Sequence, residues 1–526
     1  MKVERKIKWY RKGTVATIAL FCTAAIMLSG CGNNSGTVQN AVKGSEEDLA
    51  YKASDEPLEL TFFYGAGNYN KENPVFAEAA RLTNITLKST IPETTTDYQQ
   101  AFNTMMASGE IDDVVVTTKA NFDKYAYVHA FQPLDDLINQ YAPHIKKYLD
   151  ENPEIKKGMT CNDGHIYSLP RIETGETATG WYIRQDWLEK LNLSVPETVE
   201  EFYHVLTAFR NQDPNGNGEK DEIPFFDRTG SVGAIYNLYG VRNGFYIDDE
   251  TNQIMYGAYT PEYKEAVKQV AKWYAEGLID QEIFTRSADP RDQLLGENVG
   301  GSTHDWFTST SSYTEKMKDK VPGISFTAIA PPADINGKVW EDRGRGTGIY
   351  TGWGISASNK HPEETIKFFD FWFTDSGNRL INFGIEGLQY NMVDGNPVFT
   401  EEFKKSSDKS MTTLFSENGM ALYIGSVQDF DAERQFMSED ALKGMDMYTE
   451  NNYIAKQMPE LSFSEEERKT ISDKLTAVQS YMAEKEQKWI MGVEDVEAGF
   501  DEYMENCKNL GIEDVLNVYN NAYHRQ

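Results

Sequence analysis

Hydrophobic and polar positions alternate in short segments along residues 58–118. The segments "LELTFFYG", which stops at Gly65, "ITLKSTI" and the Val-rich "IDDVVVTT" have patterns typical of strands. Between them, "NPVFAEAARLTNI" and "TDYQQAFNTMMASGE" have helical spacing, and Gly109 is a typical C-terminal cap. The order strand, helix, strand, helix, strand predicts an α/β domain with a largely parallel sheet.

A second α/β unit is predicted from "GWYIRQDWLEKLNLSVPETVEEFYHVLTAFRN" onward. Thr198 and Glu201 have the spacing of a capping box before a helix that runs to about Arg210. The pattern of residues 231–330 is mostly helical, and the strand "ISFTAIAPP" comes after the helices. The Gly-rich "GRGTGIYTGWGISAS" is extended, a helix begins at Pro362, and helical patterns dominate the C-terminal third.

Residues 1–30 combine a basic start with a short apolar run. Six basic residues and one acidic residue give this segment a net charge of +5. The apolar run "TVATIALFCTAAIML" has 15 residues, fewer than the roughly 20 that span a bilayer, so it predicts an export signal. "LSGC", which ends at Cys31, resembles the bacterial lipobox. We therefore expect a lipoprotein with acyl chains such as palmitate on Cys31; an ordinary secretory cleavage site is the alternative.

Residues 31–56 are rich in Gly, Ser, Asn and acidic residues and lack apolar periodicity. This composition predicts a flexible tether that lifts the folded body off the membrane surface. Beyond the signal and Cys31, Cys161 and Cys507 remain. An oxidising compartment permits a disulfide between them, and two separate buried thiols are equally consistent with the sequence.

The chain is long and strongly acidic. Its 526 residues are too many for one core, so we expect at least two domains. The net charge of −31 argues against nucleic acid as a partner, because nucleic-acid binding depends on Lys and Arg contacts to phosphates. It also disfavours anionic ligands unless a local basic patch overrides it. The sequence contains no G-x-S-x-G, H-E-x-x-H or P-loop motif that would indicate a known class of enzyme.

The loop "DPNGNGEKDE" places oxygen-bearing side chains on every second residue. An EF-hand loop takes its ligands in this way, because a turning backbone directs alternate residues toward a common centre. Asp213, Asn215, Asn217 and Asp221 occupy the first, third, fifth and ninth positions, and Glu219 contributes its backbone carbonyl at the seventh. All of these are hard oxygen donors, which suit calcium better than zinc.

Two other positions complete the comparison with an EF-hand. Gly218 stands at the sixth position, where a sharp turn is needed. The twelfth position is Pro224, so the closing bidentate acid must come earlier, and Glu222 is the candidate. We expect a structural Ca²⁺ here, because the loop offers no open position for chemistry. The alternative is a solvated turn, in which Asp, Asn and Gly are common in any case.

The segment "RQDWLEKLNLSVPETVEEFYHVLTAFRNQDPNGNGEKDEIP" resembles the extracellular solute-binding lipoproteins of carbohydrate ABC importers. These are family 1-like proteins that include calcium-containing alginate- and oligosaccharide-binding members. "AFNTMMASGEIDDVVV", "FQPLDDLI", "GWGISASNKHPEETIKFFDFWFT" and "GIEGLQYNMVDGNPV" match the same family at similar intervals. The resemblance implies an α/β, two-lobed periplasmic-binding-protein-like (type II) fold with interlobe hinge strands and a helix-rich C-terminal region.

The resemblance also implies how the chain is divided between the lobes. The N-lobe would comprise residues 57–172 and 354–386, and the C-lobe residues 173–353 and 387–526, including the calcium loop 213–222. The chain would cross between the lobes near residues 171–174, 347–354 and 386–390. The glycines of "GRGTGIYTGWG" fit the second crossing, because a hinge absorbs backbone rotation.

Sugars stack their CH faces on aromatic rings and bond their hydroxyls to planar polar groups. We therefore expect a binding site with both residue types near the crossings and beyond the carboxyl ends of strands. The candidates are Tyr64, Asn68, Trp181, Trp306, Trp353, Glu386 and Tyr390. For the three Trp residues the alternative is packing in a core. Arg184 could hold the carboxylate of a uronic acid, or pair with Asp186.

These features favour a non-catalytic receptor that captures an oligosaccharide and delivers it to the permease subunits of an ABC transporter. We expect a monomer, lipid-anchored at the extracellular face of the cell membrane. One alternative is a secreted glycoside hydrolase, which needs two carboxylates about 5–10 Å apart. The other is a receptor for peptides or another polar nutrient.

Overall fold

The structure is a computed structural model that describes residues 51–525 apart from residues 68, 71, 93, 176, 287–289, 311, 346–350 and 406–409. The expected export signal, Cys31, most of the tether and Asn68 lie outside the described residues. Within the described part of the chain, no helix is long and apolar enough to cross a membrane.

Fourteen strands are found among the described residues. In chain order, β1 to β14 are Leu58–Tyr64, Ile85–Ser89, Val114–Thr118, Leu169–Ile172, Thr179–Arg184, Ile223–Phe225, Phe245–Ile247, Ile254–Tyr256, Gly300–Trp306, Phe326–Ile329, Thr351–Ile355, Tyr390–Val393, Asn396–Phe399 and Ser426–Val427.

The same residues form twenty-two α-helices and a short 3₁₀ turn at Gly257–Tyr259. In chain order, α1 to α22 are Pro74–Thr83, Tyr98–Ser108, Lys119–Ala126, Asp135–Tyr141, Pro143–Glu151, Pro153–Met159, Gln185–Leu191, Val199–Asn211, Gly233–Asn237, Tyr263–Ala275, Arg291–Gly296, Phe307–Thr310, Tyr313–Met317, Pro362–Phe371, Asp375–Phe383, Glu401–Lys405, Met411–Asn418, Phe430–Arg434, Glu439–Glu450, Glu465–Ile490, Val496–Leu510 and Ile512–Arg525.

The first sheet has the strand order β14-β4-β11-β3-β1-β2. β1 pairs in parallel with β2 and β3, as the strand and helix pattern predicts. β11 returns from the second half of the chain and pairs antiparallel with β3 and β4, so the sheet is mixed. Alternation along β1 places Phe62 in one core and Phe63 in another cluster on the opposite face. Both faces are therefore buried, which explains the nearly continuous apolar run of this strand.

The second sheet has the order β10-β5-β9-β6 and packs in a separate hydrophobic core. Its central strand β9 (Gly300–Trp306) corrects the helical expectation for residues 231–330. The strand is rich in Gly, Ser and Thr, residues that carry little apolar periodicity. Gly301 lies so close to its neighbours that a Cβ there would meet the Pro224 carbonyl at 2.8 Å. The sheet thus depends on close backbone approach, which a hydrophobic pattern does not reveal.

The helix-rich C-terminal region is confirmed. α20 begins with a capping box, in which the Ser464 hydroxyl accepts from the Glu467 amide and the Glu467 carboxylate accepts from the Ser464 amide. Trp489 of α20 and Tyr503 of α21 pack into the second core, with ring centroids 5.0 Å apart. At the earlier helix α8, the Thr198 hydroxyl accepts from the Glu201 amide. The Glu201 carboxylate instead accepts from the amide of Glu197.

The chain passes three times between the elements of the two sheets. The first crossing joins β4 to β5 through residues 173–178, and the second joins β10 to β11 through residues 330–350. The third leaves β14 and reaches α19, which packs on β10, so it lies at residues 428–438.

The third crossing therefore differs from the expected position at residues 386–390. Tyr390 is fully buried in the first core. Phe399, Phe403 and Phe415 lie in the same core, so the described residues between 387 and 427 pack with the first sheet. The physical reason is their aromatic content, because these rings bury a large apolar area that the first core accommodates. Cys161 and Cys507 are buried free thiols in different clusters and do not pair.

Candidate functional site

A polar cavity of about 160 Å³ lies at the carboxyl end of β9, beside the second sheet. Its lining includes charged, hydroxyl and aromatic side chains, among them Asp227, Arg228, His304, Trp306, Glu341 and Arg343. We call it the second-sheet cavity. The cavity is placed where β9 ends and where the second crossing runs past the start of β5.

Glu341 is the most deeply buried acid of the second-sheet cavity, with 1% of its surface exposed. Its carboxylate accepts from the Thr179 hydroxyl at 3.0 Å and from the Arg343 amide at 3.0 Å. His304 Nε2 lies 2.9 Å from the other carboxylate oxygen. Burial alone would lower the pKa of His304, but the adjacent Glu341 carboxylate outweighs it and holds the pKa above its ordinary value.

Two further carboxylates line the second-sheet cavity. Asp305 pairs with Arg291 at 2.8 Å and with Arg228 at 3.2 Å. Burial raises the pKa of Asp305, and the two guanidinium groups oppose that rise. Asp227 accepts through Oδ1 from the Thr229 amide at 2.7 Å, the Thr229 hydroxyl at 2.8 Å and the Ser231 amide at 2.8 Å. Among the described residues, no hydrogen bond reaches the Oδ2 atom of Asp227, so this oxygen is available to a hydroxyl donor.

Trp306 ends β9 and lines the second-sheet cavity with part of its ring exposed. The guanidinium carbon of Arg343 lies 4.6 Å from the centre of the indole ring, which is a cation–π contact. This pair supplies an apolar ring and a planar donor side by side, the combination that a sugar ring with its hydroxyls would use.

A second cavity of about 270 Å³ lies at the carboxyl end of β1, beside the first sheet, and we call it the first-sheet cavity. Tyr64, Arg171, Tyr423 and Glu433 are among its lining residues. The Tyr64 hydroxyl accepts from the Tyr423 amide at 3.2 Å. The guanidinium of Arg171 lies 6.0 Å from the centre of the Tyr423 ring. The site thus repeats the pairing of an aromatic ring with a guanidinium group.

The crossing segments connect the two cavities. Arg343 lines the second-sheet cavity, and Arg345, two residues further along, bonds to Glu433 of the first-sheet cavity at 2.6 Å. Gln428 of the third crossing accepts from Arg345 at 3.2 Å and from the Thr174 amide of the first crossing at 3.1 Å. One polar network therefore joins all three crossings next to both cavities.

The structure places four of the expected sugar contacts away from these cavities. Trp353 is fully buried and stacks on Phe369, with ring centroids 4.0 Å apart. Trp181 is 2% exposed and packs in the second core, and Tyr390 is buried in the first core. Glu386 is partly exposed but lines neither cavity. For the three rings the correction has one cause: the strand or turn that carries each of them directs it into a core.

Tyr64 and Trp306 are the expected contacts that do line the cavities. Several polar lining residues were absent from the candidates, namely Arg171, Asp227, His304, Glu341, Arg343 and Glu433. The sequence signal for Tyr64 and Trp306 was an aromatic residue at or after a strand end or Gly-rich turn. The polar residues carry no such signal, because charged side chains are common on any surface. Arg171 and Arg343 differ from other charged residues only in their position at or next to a crossing.

The loop between α8 and β6 is held together by hydrogen bonds from amide groups to its own carboxylates. The Asp213 carboxylate accepts from the amides of Gly216 at 2.8 Å, Asn217 at 3.1 Å and Gly218 at 3.1 Å. The Asp221 carboxylate accepts from the side-chain amides of Asn215 at 2.9 Å and Asn217 at 3.0 Å. Gly216 and Gly218 have φ values of 76° and 82°, which the sharp turn requires.

Glu222 lies beside this loop with 2% of its surface exposed. Neither of its carboxylate oxygens has a hydrogen-bond partner among the described residues. Burial raises the pKa of Glu222, the nearby backbone amides of Glu222 and Asn215 oppose that rise, and the carboxylates of Asp221 and Asp213 add to it. A buried carboxylate without donors is costly unless a cation compensates it. The described residues contain no group of three or more His, Cys, Asp or Glu placed to hold a metal, so a cation here would also need Asn and backbone oxygens.

Comparison with known families and proteins gives consistent matches. The model of the family described as bacterial extracellular solute-binding protein matches residues 70–379. The fructooligosaccharide ABC transporter substrate-binding protein FusA of Streptococcus pneumoniae is 27% identical over 478 residues, which cover 81% of this chain and 83% of FusA. Lipoprotein LipO of Bacillus subtilis is 27% identical, with 99% of each chain covered.

A solved structure extends this similarity to the fold. The alginate-binding protein AlgQ2, in a crystal structure without calcium ion, superposes with a TM-score of 0.78 at 38% identity. The superposition covers 90% of this chain and 99% of AlgQ2.

Proposed function

Because this chain belongs to the bacterial extracellular solute-binding protein family, we propose that it captures an oligosaccharide and delivers it to the permease of an ABC transporter. The observation that carries the proposal is the pair of cavities beside the two sheets, each with an aromatic ring next to a guanidinium group. The crossing segments between them provide the hinge on which such a site closes.

Trp306 is the proposed stacking platform in the second-sheet cavity, and Asp227 the acceptor for sugar hydroxyls. In the first-sheet cavity, Tyr64 is the proposed aromatic contact and Arg171 the proposed polar partner of the sugar hydroxyls. Asn68 remains a proposed contact because it follows Tyr64 closely in the sequence. Aromatic stacking and planar polar groups together orient a bound sugar and make its recognition specific. Enclosure within the cavities would exclude water from the sugar.

We also propose a structural Ca²⁺ in the loop after α8. The ligands would be Asp213, Asn215, Asn217, Asp221 and Glu222, with the backbone carbonyl of Glu219. The unpartnered carboxylate of Glu222 supports this set, because a divalent cation would satisfy both of its oxygens. A bound cation would hold the loop, and with it the junction of α8 and β6 in the second sheet, in one conformation.

We propose that Cys31 carries the lipid anchor, so that a monomer is held at the extracellular face of the cell membrane. The lipobox-like "LSGC" and the similarity to a lipoprotein along nearly the whole chain support this location. The tether of residues 31–56 would then allow the folded body to meet both its ligand and the permease.

Binding without catalysis is favoured over hydrolysis by the state of two deeply buried carboxylates of the second-sheet cavity. Glu341 and Asp305 are each engaged by several protein donors, whereas a glycosidase acid or nucleophile must reach the substrate directly. The test is to incubate the full-length protein with a panel of oligosaccharides. A rise in melting temperature with intact sugar supports the proposal. Released reducing ends would identify a hydrolase, and a rise with peptides alone would identify a different receptor.

A further inference from the structure

We infer that Glu433 makes this site select uncharged over acidic oligosaccharides, by occupying the guanidinium of Arg171 in the first-sheet cavity. The inference rests on the proposed function and names the substrate class of the same site. Both side chains line the cavity and are mostly buried, with side-chain exposures of 11% for Arg171 and 12% for Glu433.

Glu433 is fixed by partners outside the cavity. Its Oε2 atom accepts from Arg345 at 2.6 Å, and its Oε1 atom accepts from the side-chain amide of Gln428. The same Oε1 atom lies 3.9 Å from Arg171 Nη2. The carboxylate therefore stays in the cavity wall whether or not a ligand arrives, because Arg345 and Gln428 hold it there.

Arg171 is the cation that an acidic sugar would seek in this cavity. One of its nitrogens already donates to the Ala421 carbonyl at 3.2 Å, and another faces Glu433. A uronate carboxylate that reached this guanidinium would come close to the fixed carboxylate of Glu433. Two like charges in a mostly buried site repel, because water screens them poorly there, although the Arg345 guanidinium offsets part of the Glu433 charge.

An uncharged sugar meets no such repulsion. Its hydroxyls can donate to Glu433 and accept from Arg171, so the charged pair serves both kinds of hydrogen bond. The positions of the two groups, 3.9 Å apart, leave the guanidinium loosely paired and open to a hydroxyl oxygen.

The second-sheet cavity does not offset this preference. Its lining includes four carboxylates, of Asp227, Asp305, Glu341 and Asp342, against two guanidinium groups, of Arg228 and Arg343, and the imidazole of His304. Arg184, the other cation considered for a uronate, instead bonds to Asp186 at 2.8 Å and 2.6 Å and lines neither cavity. An acidic ligand would thus meet more carboxylates than guanidinium groups in the second-sheet cavity, and in the first-sheet cavity a guanidinium group with a fixed carboxylate 3.9 Å away.

The test uses full-length protein and matched trisaccharides of one linkage: glucose with glucuronate, galactose with galacturonate, and mannose with mannuronate. Calorimetric titration gives the ratio of acidic to neutral Kd for the wild type and for Glu433→Gln. Asp431→Asn is the control, because it removes the same charge from the same helix at a side chain that is 80% exposed and lines neither cavity. The double variant Glu433→Gln/Arg171→Gln tests whether Arg171 is the cation concerned.

We expect the wild type to bind a neutral member at least about tenfold more tightly than its acidic counterpart, and Glu433→Gln to reduce that ratio by about tenfold. Asp431→Asn should leave the ratio within about twofold, since exposed charges are screened. The double variant should not show the tighter binding of acidic trisaccharides that we expect for Glu433→Gln alone, because it lacks the Arg171 guanidinium. A wild type that prefers the acidic member, or a ratio that Glu433→Gln leaves unchanged, overturns the inference while the receptor function stands. Binding of none of these trisaccharides also overturns the inference, and the oligosaccharide panel then decides separately whether the receptor function stands.

Discussion

The guanidinium of Arg345 lies 2.6 Å from the carboxylate of Glu433, although 88 residues separate them along the chain. Arg345 belongs to the second crossing and Glu433 to the third. Gln428 and Thr174 extend the same network to the first crossing. The network therefore ties the three crossing segments to one another, and under the proposed function it is the place where a hinge would act.

Replacing Arg345 with Met should destabilise the protein by about 3 kcal/mol, because it leaves the mostly buried Glu433 carboxylate without its main partner. The control is Arg434→Met, which removes a guanidinium of 32% exposure from the same region. That change should cost less than about 1 kcal/mol. Urea unfolding followed by circular dichroism measures both. Equal decreases in the free energy of unfolding of the two variants would show that the Arg345–Glu433 pair stabilises the protein no more than an exposed ion pair.

Removing calcium should lower the melting temperature of the wild type. At a calcium concentration 100 times Kd, the bound ion contributes about 2.7 kcal/mol, which corresponds to a shift of roughly 5 °C. Calcium added back should restore the original value. In Asp213→Asn and Glu222→Gln variants the chelator should have little effect, whereas the surface variant Asp249→Asn should respond like the wild type. If the chelator left the melting temperature of the wild type unchanged, the proposed calcium site would be contradicted.

Trp353 and Trp306 should respond to substitution in different ways. Trp353→Ala should cost about 3–5 kcal/mol of stability, because it removes a fully buried ring that stacks on Phe369. Trp306→Ala should cost less than half of that, since its ring is partly exposed at a cavity. Chemical denaturation of both variants checks the difference. Equal destabilisation would mean that Trp306 also serves mainly as a core residue.

Glu460 should make stability depend on pH. Burial, against the opposing effect of Lys119, raises the pKa of Glu460 from 4.5 to about 7. The folded state then holds this proton more tightly than the unfolded state. The stability it contributes is therefore complete below pH 4.5 and is lost as the pH rises through 7. Glu460→Gln should stabilise the protein by about 1–3 kcal/mol at pH 8.5 and leave it unchanged at pH 4.

Unfolding curves at the two pH values test this expectation. Glu250→Gln, in an exposed loop, is the matched control and should change little at either pH. If Glu460→Gln had the same effect at pH 4 and pH 8.5, the change would come from packing rather than from the carboxylate's proton.

Short strands with strong apolar patterns could be predicted from the sequence, as β1 and β3 show, and the α/β type II fold is confirmed. β9 could not be predicted, because its Gly, Ser and Thr residues allow neighbouring backbones to approach closely and do not form a hydrophobic pattern. The third crossing was placed too early for a related reason. A local pattern does not reveal which of two cores will receive Phe399 and Phe415.

The candidate site was predictable where an aromatic residue follows a strand end, as for Tyr64 and Trp306. Trp353 shows the limit of that argument, because alternation along a strand decides whether a ring faces a cavity or a core. Asp227 and Glu341 meet in the second-sheet cavity, and Arg171 and Glu433 meet in the first-sheet cavity. Each pair comes from segments far apart in the chain, so no local spacing in the sequence predicts the contact.

The most direct test of the receptor function is a calorimetric titration of the full-length protein with the oligosaccharide that raises its melting temperature most. We expect saturable binding at one site per chain, recovery of the intact sugar, and at least a tenfold loss of affinity in Trp306→Ala, in line with the loss of one stacked ring. Cleavage of the sugar, or an affinity that Trp306→Ala leaves unchanged, would contradict a non-catalytic oligosaccharide site at the carboxyl end of β9.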